Sequence, residues 1–256
     1  MSIDAIYRLL DDLPRGGPGS SECTIEALKN LPPLPPSPKV LDLGCGAGPQ
    51  TLVLAKSLGV KVVAVDLHRP SLDRLQAVAK GQGLDHLIET RCVDFSELDV
   101  MPGGVDLIWS EGAAYVLGFE ESLQRWRPLL APGGLMAISE CSWLTDVPPA
   151  AARQFWDAAY PAMGTIAENE LRAERAGLRV LHHFALPEAA WNEYYLPLAD
   201  RIGQLRPTAD REMAAVLDAT EREIDIFRRH GSSFGYVFYL LQAWRPAGNH
   251  AADRRT

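Results

Sequence analysis

The sequence predicts an α/β protein, a mostly parallel sheet covered by helices on both faces, and three observations predict it. Short apolar runs alternate with helical stretches, three glycines stand at alternate positions where the first run passes into a helix, and an acidic residue closes the second run. Residues 39–43, Lys-Val-Leu-Asp-Leu, read as the first strand, and residues 51–59 as a helix stopped by Gly59. Residues 61–66 form a second buried strand and residues 70–80 a second helix. Further strands fall at 88–93, 105–110 and 135–140, the last after the turn Ala-Pro-Gly-Gly134, with a helix over 119–130. Towards the C-terminus, 178–186 and 234–244 read as two more strands, with helices near 150–159 and 211–229.

The chain of 256 residues suits one large domain, and 47% hydrophobic with 23% charged residues is the balance of a packed globular enzyme. Residues 32–38, Pro-Pro-Leu-Pro-Pro-Ser-Pro, make a stiff connector that is neither helix nor central strand. It divides an N-terminal arm, 1–39, from a domain at 40–246, and a polar tail follows at 247–256. A net charge of -8 gives no basic field for a nucleic-acid backbone. The N-terminus lacks the basic start of a signal peptide and no apolar run approaches membrane-spanning length, so a cytoplasmic protein without membrane contact is expected. Four scattered cysteines and six histidines show no metal spacing, so no metal site and reduced thiols are expected.

The glycine turn, Gly44-Cys45-Gly46-Ala47-Gly48, carries the chemistry. Glycine accepts a positive φ and has no Cβ, so a ligand can lie against bare backbone while the next helix points free N–H groups toward it. Pro49 suits the first turn of that helix. A dinucleotide fingerprint fails because its last glycine position holds Pro49, and no Gly-Lys-Ser/Thr serves a P-loop. Asp66 stands about 20 residues on, where an acid accepts hydrogen bonds from ribose hydroxyls.

Asp42-Leu-Gly-Cys-Gly-Ala-Gly48 with Asp66 resembles the first two motifs of the class I S-adenosylmethionine-dependent methyltransferases. The resemblance implies a Rossmann-like sheet of seven strands with one antiparallel, and S-adenosylmethionine as cofactor. It implies cofactor contacts at Asp42, Gly44, Cys45, Gly46, Gly48, Gln50, Asp66 and Leu67, and places Asp94 and Phe95 beside the adenine and Ser110 after the fourth strand. A closer resemblance is to bacterial small-molecule methyltransferases related to the ubiquinone and glycine N-methyltransferase types. It rests on Gly17-Pro-Gly-Ser-Ser-Glu22, on Asp106-Leu-Ile-Trp-Ser-Glu-Gly-Ala113 with Tyr115 and Gly118-Phe119-Glu120, and on Ser139-Glu-Cys-Ser-Trp143. It implies that residues 17–24, with Gly19 and Thr24, close over the cofactor as a lid.

In open α/β sheets the ligand sits beyond the carboxyl ends of the strands, so Ser110, Glu111, Tyr115, Glu140, Ser142 and Trp143 are expected to face the acceptor. Two carboxylates and two aromatic rings suit a cationic or amine-bearing substrate, and Glu111 or Glu140 could act as general base. Glu111, Tyr115, Glu140 and Trp143 are therefore the candidate catalytic residues. Trp191, Tyr194 and Tyr195, at helical spacing, are expected to pack in the core. The reading is methyl transfer to a small molecule, with an amine first among acceptors. O- or C-methylation and a non-catalytic cofactor-binding subunit are the rivals, and a homodimer is the one assembly entertained.

Overall fold

The computed structural model describes residues 3–95, 97–98 and 102–244; the tail expected at 247–256 and the predicted end of the domain at 246 lie outside the described residues. Two helices precede the sheet, α1 (Ile3–Leu10) and α2 (Ser21–Lys29), the second capped by the Ser20 hydroxyl, which accepts from the Cys23 amide. There follow β1 (Val40–Leu43), α3 (Pro49–Leu58), β2 (Val62–Asp66), α4 (Arg69–Gly81), β3 (Ile88–Cys92), β4 (Val105–Glu111) and α5 (Phe119–Trp126). The second half holds β5 (Leu130–Trp143), α6 (Ala150–Ala159), α7 (Ile166–Arg175), β6 (Leu178–Ala185), α8 (Glu188–Leu205), α9 (Arg211–His230) and β7 (Phe234–Ala243).

The strands form one sheet in the order β3-β2-β1-β4-β5-β7-β6, with β7 antiparallel to both neighbours and the other pairings parallel. This is the seven-stranded sheet that the sequence predicts. The chain runs outward from β1 through β2 to β3, then returns to start again at β4 on the other side of β1. The crevice at that reversal lies beyond the carboxyl ends of β1 and β4, where ligands bind in doubly wound sheets. Central strands are buried on both faces, as β1 shows along its whole length. One face packs Leu54, Leu72 and Leu75 from α3 and α4, and the other packs Phe119, Leu123 and Trp126 from α5. A third cluster joins α1, α6, α8 and α9 at the β7 end through Trp156, Trp191, Tyr195 and Phe234.

Besides the two helices of the arm, which the sequence reading did not give, three elements depart from it. The helix expected to run to Leu130 ends at Trp126, because Pro128 has no N–H to continue the ladder, and the chain passes into a 3-10 segment. Strand β5 begins at Leu130 rather than Leu135, its glycine turn absorbed by a register shift against Val105 to Leu107 on β4. Helix α7 was not anticipated, although Thr165-Ile-Ala-Glu168 is a capping box in which each side chain accepts from the other residue's amide.

Candidate cofactor and acceptor site

Asp42, wholly buried on β1, accepts from the Thr51 hydroxyl at 2.5 Å, and the Gln50 amide lies 3.5 Å away and donates to the Cys45 carbonyl at 3.0 Å. Burial, set against those donors, pushes the Asp42 carboxyl up to about 7. The group thus ties β1 to the first turn of α3 beneath the glycine turn. Gly44, Gly46 and Gly48 have φ of +70°, +55° and +69°. A Cβ at Gly44 would come within 2.3 Å of the Ala113 methyl, and one at Gly48 within 2.5 Å of Leu75. One at Gly46 would meet nothing within 4 Å, so only there does bare backbone face open space.

The expectation that this turn offers bare amides needs correction. The Gly44 and Cys45 amides both donate to the Val65 carbonyl, Gly48 donates to the Cys45 carbonyl, and Gly46 donates to Asp66 Oδ2 at 2.8 Å. The turn closes on β2 because its buried donors need acceptors. Its contribution to a ligand is shape and the adjoining acid. Asp66 Oδ1 also accepts from His68, so the carboxylate is held at the edge of the space in front of Gly46. Leu67 beside it is 55% exposed, an apolar surface offered to a ring. Phe95 is buried against Trp126, edge to face at 5.7 Å, and 3.6 Å from the Cβ direction of Gly44. Asp94 follows β3 at the same end of the sheet. Ser110 is buried and donates to the Leu43 carbonyl, joining β4 to β1.

The N-terminal arm reaches this crevice from two directions. Tyr7 of α1 stacks on His68, ring centroids 3.9 Å apart and 4° from parallel, and both burial and the nearby Asp66 charge raise its phenol above its ordinary value. Farther on, Arg15 pairs with Glu111 at 3.1 Å, both side chains nearly buried. Glu111 Oε1 also accepts from Thr24 at 2.7 Å and from the Trp109 indole at 2.9 Å. A Cβ at Gly19 would lie 2.9 Å from Arg15 and 3.1 Å from Glu111, so the glycine leaves room for this pair. The arm is therefore bound to the end of β4 through a buried charge pair that satisfies Glu111 completely.

Glu140 differs in its partners. It is 1% exposed on β5, and neither carboxylate oxygen has a hydrogen-bond partner among the described residues. Burial pushes its carboxyl up to about 8, opposed by the nearby Tyr160 phenol and the Arg172 charge. The buried Tyr160 hydroxyl lies close enough to Glu140 for each to shift the other, though without a well-formed hydrogen bond, and its ring meets Tyr115 edge to face at 6.2 Å. Across from these, Tyr195 of α8 donates to Glu223 of α9 at 2.8 Å, and burial raises the Glu223 carboxyl. Burial, with both acids adding to it, raises the phenols of Tyr115 and Tyr236, and burial with Glu223 raises that of Tyr194. Tyr236 stands on β7 against Gly112, at the carboxyl end of β4.

Glu140 has Tyr160 beside it, whose ring meets that of the half-exposed Tyr115, whereas Tyr236, opposite Cys141, faces the other side of the sheet with Tyr195 and the Glu223 it binds. Trp143 lies instead in the third core cluster, edge to face with Phe234 at 6.3 Å, with Arg153 over its ring. Ser142 is bound to Tyr239 and Asn169 in the core. Trp191 and Tyr195 are buried, as their spacing predicts, and the Tyr195 hydroxyl is spent on Glu223. The alternation of apolar and charged residues in α9 marks Glu223 only as a residue one position before the buried Ile224, a weak signal. Cys45 and Cys141 are buried and their thiols pushed up, so neither supplies a thiolate. A cavity of about 470 Å³ between α8, α9 and the start of β7 is lined in part by Tyr195 and holds none of the cofactor-side residues.

The family described as "Methyltransferase domain" matches residues 40–134. The sarcosine/dimethylglycine N-methyltransferase of Halorhodospira halochloris is 28% identical over 195 residues, 75% of this chain and 67% of that protein. A cypemycin N-terminal methyltransferase of Streptomyces is 35% identical over 59% of this chain and 60% of its own length, so the match spans under two thirds of that relative. A methyltransferase structure from Thiobacillus denitrificans, in complex with S-adenosyl-L-homocysteine, shares the fold at a TM-score of 0.79, with 19% identity over 95% of this chain and 100% of that one. The family match begins on the strand that carries the glycine turn, so residues 40–134 carry a methyltransferase domain, and the strand order and shared fold are those of the class I S-adenosylmethionine-dependent methyltransferases.

Proposed function

We propose that the chain methylates the nitrogen of a small amine, with Glu140 as the base. One observation carries this reading: a buried carboxylate whose two oxygens lack a well-formed hydrogen bond stands beside the Tyr160 hydroxyl near the end of β5. Leaving a buried polar atom unpaired costs about 1–3 kcal/mol, so such a group is retained where a ligand completes it. S-adenosylmethionine, when bound, supplies a methyl group already activated for transfer. An ammonium must shed a proton before its nitrogen can attack, and a carboxyl held near 8 matches that transfer at neutral pH far better than an ordinary one. The proton passes to a Glu140 oxygen, the lone pair freed on nitrogen forms the new bond to the methyl carbon as the carbon–sulfur bond breaks and its electron pair stays with S-adenosylhomocysteine, and the proton later leaves to solvent.

The other candidate residues take distinct parts in this reading. Gly46, Asp66, Leu67, Asp94 and Phe95 line the cofactor's place, and Asp42, Gly44, Cys45, Gly48, Gln50 and Ser110 shape it from beneath. Glu111, Gly19 and Thr24 act as positioning residues through the arm, since Arg15, Thr24 and Trp109 already use the Glu111 oxygens. Tyr115 contacts the acceptor, and Trp143 supports the wall. The relative that acts on sarcosine and dimethylglycine supports nitrogen as the acceptor atom.

The test is release of S-adenosylhomocysteine across amines, phenols and carboxylic acids. Turnover should be confined to amines, and Glu140→Gln should lower kcat by about 10²–10⁴-fold with cofactor affinity retained. Turnover confined to phenols or acids, or a Glu140→Gln variant active within a few fold, would sink the assignment.

A further inference from the structure

A cavity of about 470 Å³ opens where β6 has ended, between α8, α9 and the start of β7. Its size falls within the roughly 300–1,000 Å³ of small-molecule sites, and its lining includes neither Glu140 nor any residue of the glycine turn. The wall is aromatic. Trp191 stacks on Phe227 with ring centroids 4.3 Å apart and meets Phe234 edge to face at 6.2 Å. Trp191 is 2% exposed, and its indole N–H, 3.8 Å from the Cβ direction of Gly235 on the same wall, has no acceptor among the described residues.

Two groups of opposite charge line the same cavity, Arg228 in the last turn of α9 and Glu188 in the first turn of α8, both exposed and without an ion pair among the described residues. The neighbouring Arg229 is spent on Asp225. Each of the two carries the charge that its helix end favours, so the charges alone do not choose a ligand. The indole does choose. Its nitrogen can only donate, so whatever completes it must bring an acceptor. A carboxylate accepts from the indole and from the planar fork of a guanidinium at once, whereas an ammonium would engage Glu188 and leave the indole N–H unpaired.

We infer that this cavity is a second small-molecule site, which takes an apolar carboxylic acid: its ring or chain lies among Trp191, Phe227 and Phe234, and its carboxylate is held by the Trp191 N–H and Arg228. The apolar part fits because Leu144, Leu186 and Ile224 complete the lining, so burying hydrocarbon there leaves few polar groups stripped of water. Arg228, at the exposed end, keeps a long side chain free to reach the ligand's head. The inference does not rest on the amine reading, since neither Glu140 nor the cofactor takes part.

Three probes that share one carbon frame and differ in the head, 4-phenylbutyrate, 4-phenylbutanol and 4-phenylbutylamine, test it on the full chain. The readout is the indole N–H resonance of Trp191 in a nitrogen–proton correlation spectrum, assigned by its loss in Trp191→Phe. The acid should move that resonance at concentrations at least about tenfold below those that the alcohol or the amine requires, with S-adenosylhomocysteine present or absent. Arg228→Met should raise the midpoint for the acid at least about tenfold and leave S-adenosylhomocysteine affinity unchanged, which shows that the variant is folded. A Trp191 resonance that the acid leaves in place, an amine or alcohol that moves it as readily, or an Arg228→Met variant that titrates like the native chain would each overturn the inference. So would loss of the acid's effect on saturation with S-adenosylhomocysteine, which would put the acid in the cofactor's place. Because the resonance reports on this cavity alone, an amine bound beside Glu140 leaves it unmoved, and failure here is distinct from failure of the methyl-transfer reading.

Discussion

Replacing Glu140 by glutamine sets activity against stability. The carboxyl is raised to about 8 in the fold from an ordinary value of 4.5, so the folded state holds its proton where the unfolded state has released it. Its contribution is fully present below about pH 4.5 and is lost as pH rises toward 8. Glu140→Gln removes that loss: relative to the native chain, its stability to urea should improve by more than about 1 kcal/mol between pH 5 and pH 8. A gain that is flat with pH would show that the carboxyl is not buried neutral. The glycines divide in the same manner. Gly44→Ala forces a Cβ onto Ala113 and should lower Tm. Gly46→Ala meets no protein atom, so beyond the strain of its positive φ its effect should fall on S-adenosylhomocysteine affinity.

Among elements, the N-terminal arm depends on one charge pair. Arg15 and Glu111 are both nearly buried, and removing one partner of such a pair typically costs about 3–5 kcal/mol because the other charge is stranded. Arg15→Met should therefore destabilise the arm strongly, whereas Arg15→Met with Glu111→Gln should recover part of the loss. A double-mutant cycle by urea denaturation checks this, and additive effects would mean that the two side chains do not couple. The arm also holds α1 against His68 through Tyr7, so Arg15→Met should raise the dissociation rate of S-adenosylhomocysteine as well. Helix α7 offers a simpler case: Thr165→Ala removes one half of its capping box and should cost about 1 kcal/mol.

For the whole molecule, three buried carboxyls shift in one direction. Asp42 is raised to about 7, Glu140 to about 8, and Glu223 is raised as well, each chiefly by burial. All three favour the neutral form in the fold, so their sum makes the protein lose stability as pH rises from about 4 to 8. Melting followed by circular dichroism should show a Tm that falls across that window, with S-adenosylhomocysteine present or absent. A protein governed by surface ion pairs would be nearly flat there, since exposed pairs such as Arg69 with Asp73 contribute little.

The sequence by itself determined whatever is local. Apolar runs, the alternating glycines and the acid after β2 are written within a few residues of one another, so the alternation of strands and helices and the position of the glycine turn followed from spacing, and the family resemblance added the cofactor. Glu140 and Tyr115 became candidates because strand ends point to one crevice in any doubly wound sheet. Only the tertiary structure decided which acid is free and which is spent. Arg15 and Thr24 meet Glu111 across 96 and 87 residues, and Tyr195 meets Glu223 across 28. Such partners are selected by helix packing over the sheet's edge rather than by chain neighbours. Two glutamates alike in sequence therefore became, in the folded chain, a buried latch and an unpaired carboxyl.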